Sequence, residues 1–187
     1  MTIQPLSACP PLSPEFVLDT DLLSLRFRVG TGQQAYMAGQ GREAVIVLPE
    51  GFRFEDDAGR RWAKAVLTEV VRRRAGAVLP PRLEGLARRY DLRYRRVFIK
   101  NVRSRWGSCS ELGNINLSLW LMLAPEPLVD YVIKHELAHL NEMNHGPRFW
   151  AEVDRMTGGC GRQLERGMRE FARANARLLS YLFSDGA

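Results

Sequence analysis

The residues with the clearest chemical potential in this chain lie in one short stretch, 135–145. It holds all three histidines of the protein: His135, His139 and His145. On a helix, residues four apart are separated by about 40° around the axis, so His135 and His139 would share a face and could bind one metal ion. Glu136 would lie about 100° around from His135, close enough to reach a water molecule at that ion. This H-E-x-x-H pattern predicts a zinc ion with imidazole ligands and Glu136 as the general base.

His145 is the candidate third ligand. The helix must end before it, because six further helical residues would carry it about 9 Å along the axis. The same histidine spacing occurs in the metzincin motif, which has a glycine where this chain has Glu142. We therefore expect Asn141 or Asn144 to take the left-handed conformation that turns the chain back. Three protein ligands would leave one metal position open for water, as in catalytic zinc sites.

Other interpretations of this stretch stay open. An H-E-x-x-H pattern also arises by chance in helices, and buried, hydrogen-bonded histidines are common. The third histidine and the helix-breaking Gly146 and Pro147 after it favour the metal site. The carboxylate of Glu142 could accept the second N–H of a ligand histidine, or it could simply be solvated.

The residues around the histidines predict a helix with a buried face and an open face. Ile133 and Leu137 would face the core, whereas Asp130 and Lys134 would face solvent. The histidines fall between these two faces, where a cleft is expected.

The remaining elements predict an α+β domain with a small mixed or antiparallel sheet. Strands are expected where apolar residues alternate with polar ones, and helices where the apolar period is 3.6. The predicted strands are 22–29, 44–48, 96–102 and 115–121, and the predicted helices are 59–75, 82–90, 125–143, 147–156 and 162–183.

Length and composition favour one folded domain. A chain of 187 residues can bury a sizeable core. Residues 1–15 are rich in proline and predict a flexible tail, which leaves 16–187 as a single domain. The apolar region 117–133 is interrupted by prolines and acidic residues, so no membrane span is expected.

The charge and the cysteines narrow the class of protein further. The net charge is +6, and only Lys64, Lys100 and Lys134 of the 27 basic residues are lysines. This arginine-rich surface would suit nucleic acid or an acidic protein, although a simply solvated surface is favoured. Three cysteines without a C-x-x-C pair exclude a disulfide scaffold and a cysteine zinc ribbon. We expect a cytoplasmic protein.

Further motifs accompany the histidine stretch. The chain carries the runs RWGSCS at 105–110, NINL at 114–117, DYVIKHELAHL at 130–140, NH at 144–145 and FW at 149–150. Together they resemble the YgjP-like metallopeptidases, which are relatives of the WLM and SprT-like proteases in the zincin superfamily. The resemblance is closest over 95–155 and extends from residue 20 onward.

The resemblance implies a compact zincin-like fold, in which a small sheet lies beside an active-site helix. It implies zinc held by His135, His139 and His145, with Glu136 as general base in the hydrolysis of a peptide or protein. The strand 114–119 would form the sheet edge on which an extended peptide binds. Tyr131 and Arg105 are candidate donors to the oxyanion, although a place in the cleft wall for Tyr131 and a surface charge for Arg105 are favoured.

Two rival functions remain. The first is a non-catalytic, metal-containing module that binds peptide or protein. The second is a DNA-associated protease that acts on DNA-bound protein, which the arginine-rich surface motivates.

Overall fold

Residues 12–183 are described by the computed structural model, so most of the predicted tail over 1–15 lies outside the described residues. Of the part that is described, Leu12 is buried. Its backbone N–H donates to the hydroxyl of Tyr181, 3.3 Å away, which joins the two ends of the described chain.

The first sheet is built from strands in the amino-terminal part of the chain. These strands are β1 Val17–Asp19, β2 Ser24–Val29, β3 Tyr36–Ala38 and β4 Glu43–Leu48. They lie in the order β1-β2-β4-β3; β2 and β4 are parallel, and the outer strands are antiparallel to their neighbours. The strands predicted over 22–29 and 44–48 are confirmed as β2 and β4. Their inward-facing side chains, such as Leu25 and Ile46, are buried.

One long helix, α1, follows this sheet and spans Asp57–Arg89. The prediction of separate helices over 59–75 and 82–90 was wrong, because Pro80 and Pro81 lie inside the helix. An interior proline removes a backbone hydrogen bond and costs about 3 kcal/mol. Here the buried stripe of α1 continues through this point, with Leu79 and Leu83 fully buried on either side. Packing of that stripe outweighs the local propensity.

The second sheet lies next to the histidines. Its strands are β5 Arg96–Lys100, β6 Gly107–Cys109 and β7 Asn114–Ser118. They lie in the order β5-β7-β6, with β5 parallel and β6 antiparallel to β7. The prediction that 114–119 is an edge strand was wrong: β7 is central and β6 forms the edge. The cause is a hairpin turn at Gly113 (φ 72°), which folds β6 onto the side of β7 that β5 leaves open.

The strand predicted over 115–121 ends early, at Ser118. The hydroxyl of Ser118 accepts a hydrogen bond from the backbone N–H of Trp120 (3.3 Å) and so caps a 3₁₀ helix, Leu119–Leu123. This short helix is entirely buried and contacts α1.

The carboxyl-terminal half of the fold is helical and encloses the histidines. Its helices are α2 Glu126–Ala138, α3 Pro147–Thr157, α4 Gly161–Ala174 and α5 Ala176–Phe183. The single helix predicted over 162–183 is interrupted at Asn175, whose buried side chain donates to the carbonyl of Phe171 (2.9 Å). The histidine helix α2 packs against α3, α4 and β6, with Ile133 and Leu137 fully buried as predicted. The predicted α+β fold is confirmed.

No helix within residues 12–183 has the length and apolar character needed to cross a bilayer.

Candidate metal centre

The carboxyl-terminal end of α2 positions the first two histidines. Proline at the start of the helix satisfies the φ requirement of its first turn, and the helix ends at Ala138. His135 lies in the last turn and His139 caps the end in a helical conformation (φ −66°, ψ −15°). Their ring centroids are 5.1 Å apart, as expected for residues on one helix face.

The chain then turns back without any left-handed residue. Among the described non-glycine residues only Asp91 has a positive φ, so the left-handed conformation predicted for Asn141 or Asn144 was wrong. Tight backbone bonds reverse the chain instead: the N–H of Asn141 donates to the carbonyl of Ala138 (3.1 Å), and that of Gly146 to the carbonyl of Asn144 (2.7 Å). These short turns need no positive φ. Glu142 can therefore occupy the position at which the metzincin motif has glycine.

This turn brings His145 to the other two histidines. The Nε2 atoms of His145 and His135 are 3.1 Å apart, and candidate ligand atoms of all three residues lie within 4.8 Å of one another. Two nitrogens bound to one tetrahedral zinc ion would be about 3.3 Å apart, given bonds of about 2.0–2.1 Å. The His135–His145 pair has this spacing, and all three imidazoles lie close enough together to be ligands of one metal ion.

Hydrogen bonds at Nδ1 orient two of the rings. Nδ1 of His139 lies 3.1 Å from the backbone carbonyl of Glu142, so it carries the proton and leaves Nε2 free as a ligand. Nδ1 of His135 lies 3.4 Å from the hydroxyl of Tyr131. Of the two alternatives left open for the Glu142 carboxylate, the contact with a ligand histidine is made by the Glu142 backbone carbonyl instead, and the carboxylate lies 3.8 Å from Arg148.

Burial keeps the helix histidines neutral, which is the form that binds metal. Burial first, and then the neighbouring histidines, lower the pKa of His135 to about 3. Burial also lowers the pKa of His139. The ring of Phe149 on α3 supplies much of this apolar surrounding, since its centroid lies 4.8, 4.5 and 4.5 Å from those of His135, His139 and His145.

Glu136 lies beside this cluster and is 5% exposed. Burial raises the pKa of its carboxyl to about 8, and the charge of Arg105 opposes that rise. The carboxylate lies against the edge strand, where a Cβ on Gly107 would come within 2.7 Å of Glu136 Oε1. Only glycine leaves room for the carboxylate at this point. This role of Gly107 was not predicted from the sequence, where its place in the RWGSCS run is the available signal.

A family model gives the clearest result among the comparisons with known proteins. The profile of the YgjP-like metallopeptidase domain matches residues 26–168. The chain belongs to the YgjP-like family. This YgjP-like match extends well beyond the region 95–155 where the resemblance was strongest, and it includes all three histidines and Glu136. It identifies the protein as a metallopeptidase, which hydrolyses peptide bonds with the help of a metal ion. No protein of curated function matches the chain.

Two solved structures are similar to part of this YgjP-like chain. One is the metallopeptidase zymogen abylysin from Pyrococcus abyssi, with 23% identity, 52% of this chain and 98% of that chain covered, and a TM-score of 0.47. The other is the zymogen jannalysin from Methanocaldococcus jannaschii, with 20% identity, 49% and 94% covered, and a TM-score of 0.43.

Proposed function

We propose that this YgjP-like protein is a zinc-dependent peptidase in which His135, His139 and His145 hold the ion and Glu136 is the general base. The observation that carries the proposal is the convergence of three imidazoles within 4.8 Å beside a buried carboxylate. A zinc ion bound there would supply a Lewis acid for the peptide carbonyl and would lower the pKa of a water molecule.

Glu136 is suited to move the proton during hydrolysis. Burial raises the pKa of its carboxyl to about 8. The ionised form is therefore a stronger base than an exposed glutamate, and it is this form that accepts a proton from the attacking water. The water oxygen bonds to the carbonyl carbon, the C–N bond breaks, and Glu136 returns the proton to the leaving amine. Because Gly107 has no side chain, the Glu136 carboxylate can remain next to β6 during these steps.

An extended substrate would bind along β6. Within residues 12–183 no strand covers its outer edge, and β6 contacts the histidine helix. The carbonyl of Trp106 accepts from the N–H of Ser118 (2.8 Å), and the N–H of Ser110 donates to the carbonyl of Asn114 (2.9 Å). By alternation, the N–H and C=O groups of Gly107 and Cys109 then point outward, away from β7. These groups can pair with a peptide backbone and hold it beside Glu136.

Arg105 is the better of the two candidate oxyanion donors. Its side chain is exposed at the cavity beside Glu136, where a substrate carbonyl would lie. The hydroxyl of Tyr131 contacts His135 Nδ1, on the far side of the ring from Nε2, and is suited to orienting that ring.

The test uses protein purified without a histidine tag. We expect one zinc ion per chain, measured by elemental analysis, and loss of that zinc in His145→Ala. Glu136→Gln is expected to keep the zinc and to lose peptide hydrolysis by about 10²-fold or more, because it removes the proton acceptor. Unchanged hydrolysis by Glu136→Gln would overturn the proposal. Full zinc content in His145→Ala would overturn the assignment of His145 as the third ligand.

The rival functions have less support. Many arginines pair with acids on their own helices; Arg73 and Glu69 are 3.0 Å apart, and Arg88 and Glu84 are 3.1 Å apart. These pairs favour a solvated arginine-rich surface over a nucleic-acid site. The buried carboxylate at the histidines favours catalysis over a purely binding module. We further propose that 16–187 form one domain, since one buried cluster extends from Leu12 to Leu182.

A further inference from the structure

A cavity of about 310 Å³ opens directly beside Glu136. Its walls come from the segment 105–107, from α2 and from α4. Since His135 and Glu136 are among its lining residues, a group bound there would lie next to the reacting peptide bond. The cavity is therefore continuous with the candidate active site.

The walls of this cavity are largely apolar. The apolar side chains come from Trp106, Tyr131, Val132, Met168 and Ala172, and the polar part of the lining comes from Arg105, His135, Glu136, Glu165 and Arg169. Val132 and Met168 are each only 5% exposed, so they are fixed by the surrounding core. An apolar group that enters would remove carbon surface from water on both sides of the contact.

The charged residues of the lining do not favour a basic occupant. Its acids are Glu136, which the mechanism uses, and Glu165. The carboxylate of Glu165 already lies 3.3 Å from Arg162 and 3.1 Å from Arg169. A lysine or arginine side chain of a substrate would thus lose hydration in the cavity without gaining a free acidic partner.

We infer that this cavity selects a large apolar side chain, such as phenylalanine or leucine, on a residue that flanks the scissile bond. The inference rests on the proposed peptidase function. The volume lies at the lower end of the range typical of ligand pockets, about 300–1,000 Å³, which suits one side chain. The small side chain of Ala172 on α4 leaves this space open.

The first test compares hydrolysis of the peptides Ala-Ala-Ala-X-Ala-Ala, with X as Phe, Leu, Ala or Lys and the cleavage site read by mass spectrometry. We expect kcat/KM to be at least about tenfold higher with Phe or Leu than with Ala or Lys. Ala172→Phe fills the cavity and is expected to bring the Phe-to-Ala ratio close to one. Ala172→Leu should lower the Phe-to-Ala ratio by a smaller amount, and this variant replaces Ala172→Phe in the test if the larger side chain prevents folding.

Ala174→Phe is the matched control, because Ala174 lies on the same helix, is exposed and does not line the cavity. It should keep the wild-type ratio. An equal ratio in the Ala172 variants and the wild type would overturn the inference.

The second test measures binding without catalysis. N-acetylphenylalanine amide is added to metal-free protein, and the Met168 methyl resonance is followed by NMR. We expect saturable binding by the wild type and Ala174→Phe, and at least about tenfold weaker binding by Ala172→Phe. Ala172-dependent binding without hydrolysis of any peptide would support the pocket and overturn the proposed function. Hydrolysis without preference for X, and no Ala172-dependent binding, would overturn only the pocket.

Discussion

The carboxylate of Glu136 lies so close to the backbone of Gly107 that the position of the carboxylate depends on the lack of a side chain at residue 107. A methyl group on Gly107 would come within 2.7 Å of Glu136 Oε1 and 2.9 Å of its Cδ. These distances are too short for real Cβ contacts, so a side chain at residue 107 would force the buried carboxylate to shift. Glycine at position 107 therefore determines where the Glu136 carboxylate lies.

Gly107→Ala should therefore displace Glu136. We expect peptide hydrolysis to fall by about 10²-fold, as for loss of the base, while the histidines still bind zinc. Hydrolysis rates and zinc content of the same preparation check this. Gly85→Ala is the control, because Gly85 lies within α1 with no atom near its would-be Cβ. It should leave hydrolysis unchanged and stabilise the fold by about 0.5–1 kcal/mol. Wild-type hydrolysis by Gly107→Ala would contradict the proposed contact.

At the scale of elements, β6 is short and exposed at its edge, yet it joins two parts of the site. One face of the strand contacts α2, and its outer edge offers backbone groups to a substrate. Cys109 lies at the last position of this strand, half-buried, and burial raises the pKa of its thiol to about 11. The thiol is thus neutral, and the backbone of Cys109 is the part suited to bind substrate.

Cys109→Pro should weaken peptide binding at this edge. Proline removes the outward N–H, which by alternation is not used in pairing with β7, so the sheet is expected to persist. Loss of one hydrogen bond predicts a fall in kcat/KM of up to about tenfold, with zinc retained. Cys109→Ala keeps the N–H and should keep the activity. Equal kcat/KM for both variants would show that the substrate does not pair with this position.

At the scale of the whole molecule, the three imidazoles link separate parts of the chain. His135 and His139 belong to the end of α2, whereas His145 precedes α3 and is exposed. A metal ion held by all three would join these helices only in the folded state. Binding that requires the fold stabilises the fold.

Zinc should therefore raise the melting temperature of the metal-free protein. At a free zinc concentration 100 times the Kd, the added stability is about 2.7 kcal/mol. Calorimetry with zinc and with EDTA would measure this, and His145→Ala should reduce the difference. Magnesium, which prefers oxygen ligands, should have little effect and serves as the control ion. An equal melting temperature with and without zinc would contradict a shared site.

Strands β2, β4, β5 and β7, most of the helical segments and the candidate site residues could be predicted from the sequence, because they depend on local features. The short strands β1, β3 and β6 were not predicted. Apolar periods predict strands and helices, and a four-residue spacing brings two histidines to one helix face whatever surrounds it. The motif likewise indicated Glu136 and His145. The cytoplasmic location remains a prediction.

Tertiary structure decided what depends on contacts between distant residues. Packing of Leu79 and Leu83 keeps α1 intact through two prolines, although its local propensity predicts a break. Strand order in the second sheet depends on which side of β7 each neighbour can reach, so it places β6 rather than β7 at the edge. The contact of Gly107 with Glu136, residues far apart in the chain, follows from that order, and no local pattern encodes it.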